Sequence, residues 1–279
     1  MILGVSNYSY FKHMRNTGES NFDVFKRAKE MGFEFMDLLD LSAKEDQSVE
    51  ELAKETAEKL AENGLRMGAY TVSADFYKTT AEQELERLKK CVDIAEILGA
   101  KKMRHDVVWA GKDHRASIKE LAPFIRELTK YAEQKGISTM TENHGFYLQA
   151  SDRMEMLVNE VNCDNYGLLI DMGNFLCADE APEHAVAALA KYAKHVHVKD
   201  FIYKNGGIPV PSGGFIETTG ANYIRGTIAG HGIVPIAKCL KILKKAGYDG
   251  DIAYEFEGPE ENLDAIAAGY ENIRTAMSI

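Results

Sequence analysis

Short apolar runs and longer amphipathic runs alternate along this chain from one end to the other. Runs of strand length cover 2–6, 33–39, 66–72, 101–106, 138–143, 167–171, 195–200 and 251–257. Helical periodicity appears near 22–31, 48–63, 82–98, 117–135, 153–161, 183–193, 235–246 and 260–276. Apolar residues recurring every three or four positions mark the second set, whereas near-continuous apolar runs bounded by turn residues mark strands covered on both faces. Gly32, Gly64, Gly99, Gly136 and Gly247 stand where five of the helices stop, and the next strand begins within a few residues of each. Regular alternation of this kind predicts parallel strands with helical crossovers. Eight repeats predict a closed α/β structure, the (β/α)8 TIM barrel, in place of an open doubly wound sheet. The 279 residues suit one such domain of about 250 residues, so 1–279 is read as a single catalytic barrel. No G-x-G-x-x-G follows a strand, so the dinucleotide-binding signature is missing. One stretch breaks the rhythm. Residues 201–231, rich in Gly, Pro and Thr, read as a long loop after strand seven, on the face where barrels carry their chemistry.

Reactive side chains in a barrel project from the C-terminal strand ends. Strand five ends Thr141-Glu142-Asn143-His144 and strand six ends Asp171-Met172-Gly173-Asn174. Strand seven reads His195-Val196-His197-Val198-Lys199-Asp200 and strand eight Tyr254-Glu255-Phe256-Glu257. Glu142 and Asp171 are 29 residues apart, Asp171 and His197 are 26 apart, and His197 and Glu255 are 58 apart. The first two intervals are each one strand–helix unit, and the third is one unit plus the long loop. The four side chains therefore stand at similar heights on successive strands about 4.8 Å apart. Alternation places His195, His197 and Lys199 on one face, with Val196 and Val198 toward the helices, and puts Glu255 with Glu257. Three carboxylates so close repel one another, and a divalent cation shared with one imidazole offsets that repulsion. Mn²⁺ is the first choice, with Mg²⁺, Co²⁺ and Zn²⁺ as alternatives.

His144, Asn174, Lys199, His231, Glu257, Trp109 and His13 are the further candidates, as substrate contacts. Each has a plainer reading. Lys199 pairs with Asp200, the glycines beside His231 mark only a turn, and His13, Tyr70, His105 and Trp109 simply pack. His195 is expected deeper in the barrel, packed and hydrogen-bonded.

Charge narrows the partners. The net charge is −10, and an acidic surface repels phosphate backbones, which argues against nucleic acid. Cys91, Cys163, Cys177 and Cys239 form no C-x-x-C pair and read as reduced thiols. No run approaches the roughly 20 apolar residues that span a bilayer. The first residues, Met1-Ile2-Leu3-Gly4-Val5-Ser6, read as a strand rather than a signal peptide. A cytoplasmic protein without a membrane partner is expected.

The blocks TENHG at 141–145, LLIDMGN at 168–174, HVHVKDF at 195–201, GHGIVPI at 230–236 and YEFEG at 254–258 resemble the xylose isomerase-like superfamily, the sugar phosphate isomerases and epimerases. The resemblance covers most of the chain and is strongest from Glu142 to Gly258. It implies a metal held by Glu142, Asp171, His197 and Glu255, with Glu142 and Glu255 as the catalytic carboxylates. It implies an isomerase or epimerase that removes a proton next to the carbonyl of a sugar-like substrate and passes through an enediolate. A dehydratase acting on an inosose- or dehydroshikimate-like hydroxyketone is the alternative on the same site. Relatives of this kind form homodimers or homotetramers. Where many of its epimerases have D-x-x-H in strand six, this chain has Asp171-Met172-Gly173-Asn174. The same Asn departs from the ligand set of the endonuclease IV relatives.

Overall fold

The computed structural model describes residues 1–279 except Lys112 and Ile208. Its strands in chain order are β1 (Ile2–Ser6), β2 (Phe35–Leu39), β3 (Arg66–Val72), β4 (Lys102–His105), β5 (Ser138–Glu142), β6 (Tyr166–Asp171) and β7 (Ala193–Val198), then an excursion of β8 (Asp200–Lys204), β9 (Ile216–Glu217) and β10 (Tyr223–Thr227), and finally β11 (Asp251–Tyr254). β1 to β7 pair side by side in parallel, and β11 closes the barrel between β7 and β1. This is the (β/α)8 barrel that the alternation predicts.

Helices α2 (Asn21–Met31), α3 (Val49–Glu62), α4 (Ala81–Ile97), α5 (His114–Glu133), α6 (Ser151–Val161), α7 (Pro182–Leu189), α8 (Ile236–Lys245) and α9 (Asn262–Met277) cover the outside. Local chemistry sets several starts. Ser20 with Asp23, Ser48 with Glu51, and Thr80 with Gln83 form reciprocal capping boxes at α2, α3 and α4, each satisfying two backbone N–H groups that the first turn leaves free. At the far end of α2, Gly32 takes φ 102°, a left-handed value that side chains other than glycine's tolerate poorly.

Three sequence expectations change. A 3₁₀ turn at Asn7–Tyr10 and a helix α1 (Phe11–Thr17) follow β1, where the polar-aromatic mixture gave no clear period. β2 starts at Phe35 rather than residue 33, because the Phe33 N–H donates to Ala28 O at the end of α2. Residues 201–231 are not a featureless loop. β8, β10 and β9 make a three-stranded antiparallel sheet, with Ile208 outside the described residues. Turn-rich composition hid the short strands.

The barrel interior is narrow at its base. Arg66 donates twice to Asp251, at 2.6 and 3.1 Å, and Lys102 joins the same carboxylate at 2.9 Å. The Arg66 guanidinium also lies 4.8 Å from the Phe35 ring centroid. Above this plug the Phe35 ring fills the space left by Gly4 and Gly68, where any added Cβ would overlap it. β3 carries one residue more than β2 between Met67 and Tyr70. Such a bulge shifts which side chains face inward. Higher up, Ala69, Met140 and Leu169 form a small separate apolar cluster beneath the polar rim.

Gly4→Ala forces the Phe35 ring out of place and is expected to cost about 1–3 kcal/mol of stability. Denaturant melts of Gly4→Ala and of Gly4→Ala with Phe35→Leu measure this. Partial recovery in the double variant is expected, and an unchanged melt for the single variant would contradict the packing described.

Candidate metal centre and pocket

β5, β6 and β7 end at the same rim and β11 meets them there. Glu142 ends β5, Asp171 ends β6, His197 lies one residue before the end of β7, and Glu255 follows β11, with its N–H still donating to Val198 O at 3.0 Å. One ligand atom from each of the four falls within 4.8 Å of every other, and all four residues are buried. His197 Nδ1 stands 3.8 Å from Glu142 Oε1 and 3.7 Å from Glu255 Oε1.

Two buried atoms in this cluster, His197 Nδ1 and Asp171 Oδ2, have no hydrogen-bond partner, although the Lys199 ammonium lies 3.3 Å from Asp171 Oδ2. Buried polar atoms are seldom left so, because the desolvation cost goes uncompensated. The other side of each residue is fully engaged. His197 Nε2 donates to Asp37 Oδ2 at 3.1 Å, which leaves Nδ1 as the lone-pair nitrogen facing the acids. Asp171 Oδ1 accepts from the N–H groups of Gly173 and Asn174 at 2.8 and 2.9 Å, which leaves Oδ2 toward the cluster. Three carboxylates and one such imidazole nitrogen are the donor set a divalent cation takes, so the residues present fit a metal ion.

The electrostatics agree. Burial opposes protonation of His197, but Glu255, Asp37 and Glu142 outweigh it and push the imidazole up to about 9. Burial, reinforced by Glu142 and Glu255, pushes the Asp171 carboxyl up against the pull of Lys199. Glu255 goes the other way. Burial resists its ionisation, yet Lys199 and His197 hold it well below the usual carboxylate range. An excess of negative charge thus sits at the rim and traps protons where a cation would sit.

Asp37 on β2 joins the parts. It is fully buried and takes His195 Nε2 at 2.6 Å, His197 Nε2 at 3.1 Å and the Ala69 N–H at 2.6 Å. The Ala69 N–H is available because the bulge in β3 turns it inward. Arg104 on β4 is 2.8 Å from both Glu142 Oε2 and Asp106 Oδ1. Sequence reading missed Asp37, Arg104 and Asp106. Charged residues at inward positions of apolar strands were the available signal.

The cluster floors a cavity of about 280 Å³ lined by Tyr8, Thr71, Arg104, His144, Lys199 and Glu257 among others. Lys199 does not pair with Asp200. Its ammonium lies 2.6 Å from Glu255, 2.7 Å from Glu257 and 3.3 Å from Asp171. Asn174 donates to Glu142 Oε1 at 3.1 Å and so orients a candidate ligand. His144 lies 3.6 Å from Asp106 and meets the Trp109 ring edge-on. His195 is the deep, hydrogen-bonded histidine expected.

Two candidates stay apart from this pocket. His13, on α1, pairs with Glu19 at 3.0 Å. His231 is exposed, since Asp200 Oδ2 draws the N–H groups of its neighbours Gly230 and Gly232 inward at 2.8 and 2.9 Å. Tyr70 is buried against Asp40, at 2.7 Å, and His105 is buried with Nδ1 on Asp106 O at 2.8 Å. Among the described residues, no helix is long and apolar enough to cross a membrane.

An Asp37→Asn variant keeps a similar volume but weakens the hold on His197. It is expected to lower divalent-metal affinity about 10- to 100-fold with the fold intact, as read by calorimetric metal titration beside circular dichroism. Unchanged affinity would mean that Asp37 does not orient a ligand.

Known proteins share this architecture. An inosose dehydratase of Clostridium beijerinckii is 31% identical over 143 residues, covering 50% of this chain and 47% of that protein. The chain thus matches about half the length of that curated relative. Among solved structures, an IOLI protein with a binding zinc atom superposes with TM-score 0.77 at 17% identity, over 100% of this chain and 98% of its own. An L-ribulose 3-epimerase superposes with TM-score 0.73 at 14% identity, over 100% and 95%. At these identities the structural likeness shows the fold. The model of the xylose isomerase-like TIM barrel family matches residues 25–276, and the chain belongs to that family.

Proposed function

We propose that this chain is a metal-dependent enzyme that removes a proton from the carbon beside the carbonyl of a small polyhydroxylated ketone, and so isomerises or epimerises it. The observation that carries this reading is the convergence of Glu142, Asp171, His197 and Glu255, with His197 Nδ1 buried without a hydrogen-bond partner and Asp171 Oδ2 met only by the Lys199 ammonium at 3.3 Å. A bound divalent ion, Mn²⁺ in our reading, would polarise the carbonyl and lower the cost of the enolate. The protein supplies the rest. Glu142 and Glu255 reach the cavity from β5 and from the end of β11, and either can receive the proton. Arg104 beside Glu142 and Lys199 beside Glu255 hold both carboxylates in place. Lys199, Tyr8 and His144 line the same space and offer donors to substrate hydroxyls. We further propose a homodimer or homotetramer.

A second reading has its own support. The curated relative that matches half the chain is an inosose dehydratase. Elimination starts with the same proton removal and then expels a β-hydroxyl as water, for which the Lys199 ammonium, the Tyr8 hydroxyl and the His144 ring are the donors at hand.

Incubation of the Mn²⁺-loaded protein with ketoses and inososes in D2O separates the two. Solvent deuterium entering the product without loss of water supports isomerisation or epimerisation, and a growing enone absorbance supports dehydration. Glu142→Gln and Glu255→Gln are each expected to lower turnover about 10²- to 10⁴-fold while thermal unfolding stays cooperative. No deuterium exchange with any substrate in the panel would overturn the shared first step.

A further inference from the structure

Among the described residues, the exposed aromatic side chains are Tyr8, Tyr77, Trp109 and Phe146. All four lie on segments that leave the C-terminal ends of barrel strands: β1, β3, β4 and β5 respectively. Large exposed aromatics gathered on one face mark contact with a partner or ligand. Three of them follow neighbouring strands, and Trp109 stands between the other two.

The surroundings of Trp109 are built to present its ring. One side lies against the backbone of Gly145, where an added Cβ would come within 3.0 Å of the indole. The next residue, Phe146, adopts φ 64°, a strained value for a bulky side chain. It is held there by its N–H donating to Gln149 Oε1 at 2.6 Å, while Gln149 Nε2 donates to Asn174 O at 2.7 Å. The Trp109 ring meets His144 edge-on, with centroids 5.2 Å apart at 82°. His144 lines the metal-site cavity. Trp109 therefore stands behind the His144 wall of that cavity, and 41% of its surface remains exposed.

On its other side Trp109 lines a second, larger cavity of about 610 Å³ with Ser73, Asp75, Lys78, Thr79 and Arg87. The cavity over the metal site measures about 280 Å³, at the low end of the roughly 300–1,000 Å³ of small-molecule sites. It has room for one small ring. The lining of the second cavity begins two residues beyond Thr71 of the first, and the contact between Trp109 of the second and His144 of the first joins the two. Its lining pairs one flat aromatic face with carboxylate, ammonium and hydroxyl groups. That combination suits a ring with an apolar face and a hydroxylated rim, and a purely apolar ring leaves the charged groups without partners.

We infer that Trp109 and the cavity beside it form a second sugar subsite, so that the substrate is a two-ring glycoside whose reacting ring sits over the metal cluster and whose second ring stacks on Trp109. This inference rests on the proposed sugar chemistry of the metal site.

The chain holds a single tryptophan, so fluorescence excited selectively at the red edge of the tryptophan band, beyond tyrosine absorption, reports on this position alone. The Mn²⁺-loaded protein is titrated with maltose, cellobiose and lactose, with glucose and galactose, and with phenyl β-D-glucoside. A saturable emission shift with at least one disaccharide, at concentrations about tenfold below those needed for its monosaccharides, is expected. Calorimetry of Trp109→Ala and of Lys78→Ala is expected to show that preference shrinking about tenfold and several-fold respectively, with unchanged thermal midpoints. Equal response to mono- and disaccharides, or no response to any disaccharide, overturns the subsite. Tight binding of the phenyl glucoside alone overturns the second-sugar assignment in favour of an aryl group. Binding is read without turnover. Disaccharide binding with no deuterium exchange on any ketose or inosose therefore leaves the subsite standing and sinks the proposed reaction, whereas exchange on those ketones without disaccharide preference does the reverse.

Discussion

One buried carboxylate carries the geometry of the whole rim. Asp37 has no exposed surface, and its two oxygens gather His195, His197 and the Ala69 N–H. A lone carboxylate in such a place is costly to bury. Three hydrogen bonds offset that cost, and the imidazoles beside it hold Asp37 well below the usual carboxylate range. The bonds then work in reverse. With Asp37 fixed by β3 and by His195, the His197 ring has one orientation open to it, Nε2 toward Asp37 and Nδ1 toward the acids. The bulge in β3 and the choice of ligand atom at the rim are thus one constraint seen from two strands.

The two candidate base carboxylates are held unequally. Glu142 shares Arg104 with Asp106 and accepts from Asn174, so both of its oxygens are directed. Glu255 has Lys199, which it shares with Asp171 and Glu257. Arg104 meets Asp106 at two points, at 3.2 and 2.8 Å, which fixes the guanidinium that Glu142 contacts, whereas the Lys199 ammonium is a compact charge on a flexible stem. The Glu142 side of the pocket is therefore the more rigid, and the Glu255 side can rearrange as charge is added or removed at the rim. Chemistry that needs one fixed group and one that adjusts has a natural division of labour here.

Most of the barrel was legible in the sequence because two periodicities and repeated helix stops point the same way. The four clustered residues were legible because equal spacing on successive strands fixes equal height, a property of the chain itself. What escaped was set by the third dimension. Asp37 lies within FMDLL, where a single acid in an apolar strand gives no hint of the two histidines from β7 that it meets across the barrel. Arg104 was hidden in the same way, since its partners come from β5 and from its own strand end. His231 looked promising between two glycines, but glycines chosen for their accessible N–H groups turn the histidine between them outward.

That last point explains how the three-stranded excursion is tied to the barrel. Asp200 takes the N–H groups of Phe201, Gly230, Gly232 and Val234 at 2.8 to 3.0 Å, which ties both ends of the excursion to one carboxylate where β7 leaves the barrel. Asp179, just after β6, accepts from Thr218 at 2.8 Å and Asn222 at 2.7 Å and so fastens the β9–β10 turn to the neighbouring strand's exit. Two acids thus do for this sheet what burial does for the barrel. Each replaces many weak apolar contacts by a few directional charge-assisted bonds, to backbone N–H groups at Asp200 and mainly to side-chain hydroxyl and amide donors at Asp179. The excursion is held at its ends and at its turn. Its bonds run to the exits of β6 and β7, whereas the exposed Tyr77, Trp109 and Phe146 and the larger cavity belong to the segments after β3, β4 and β5.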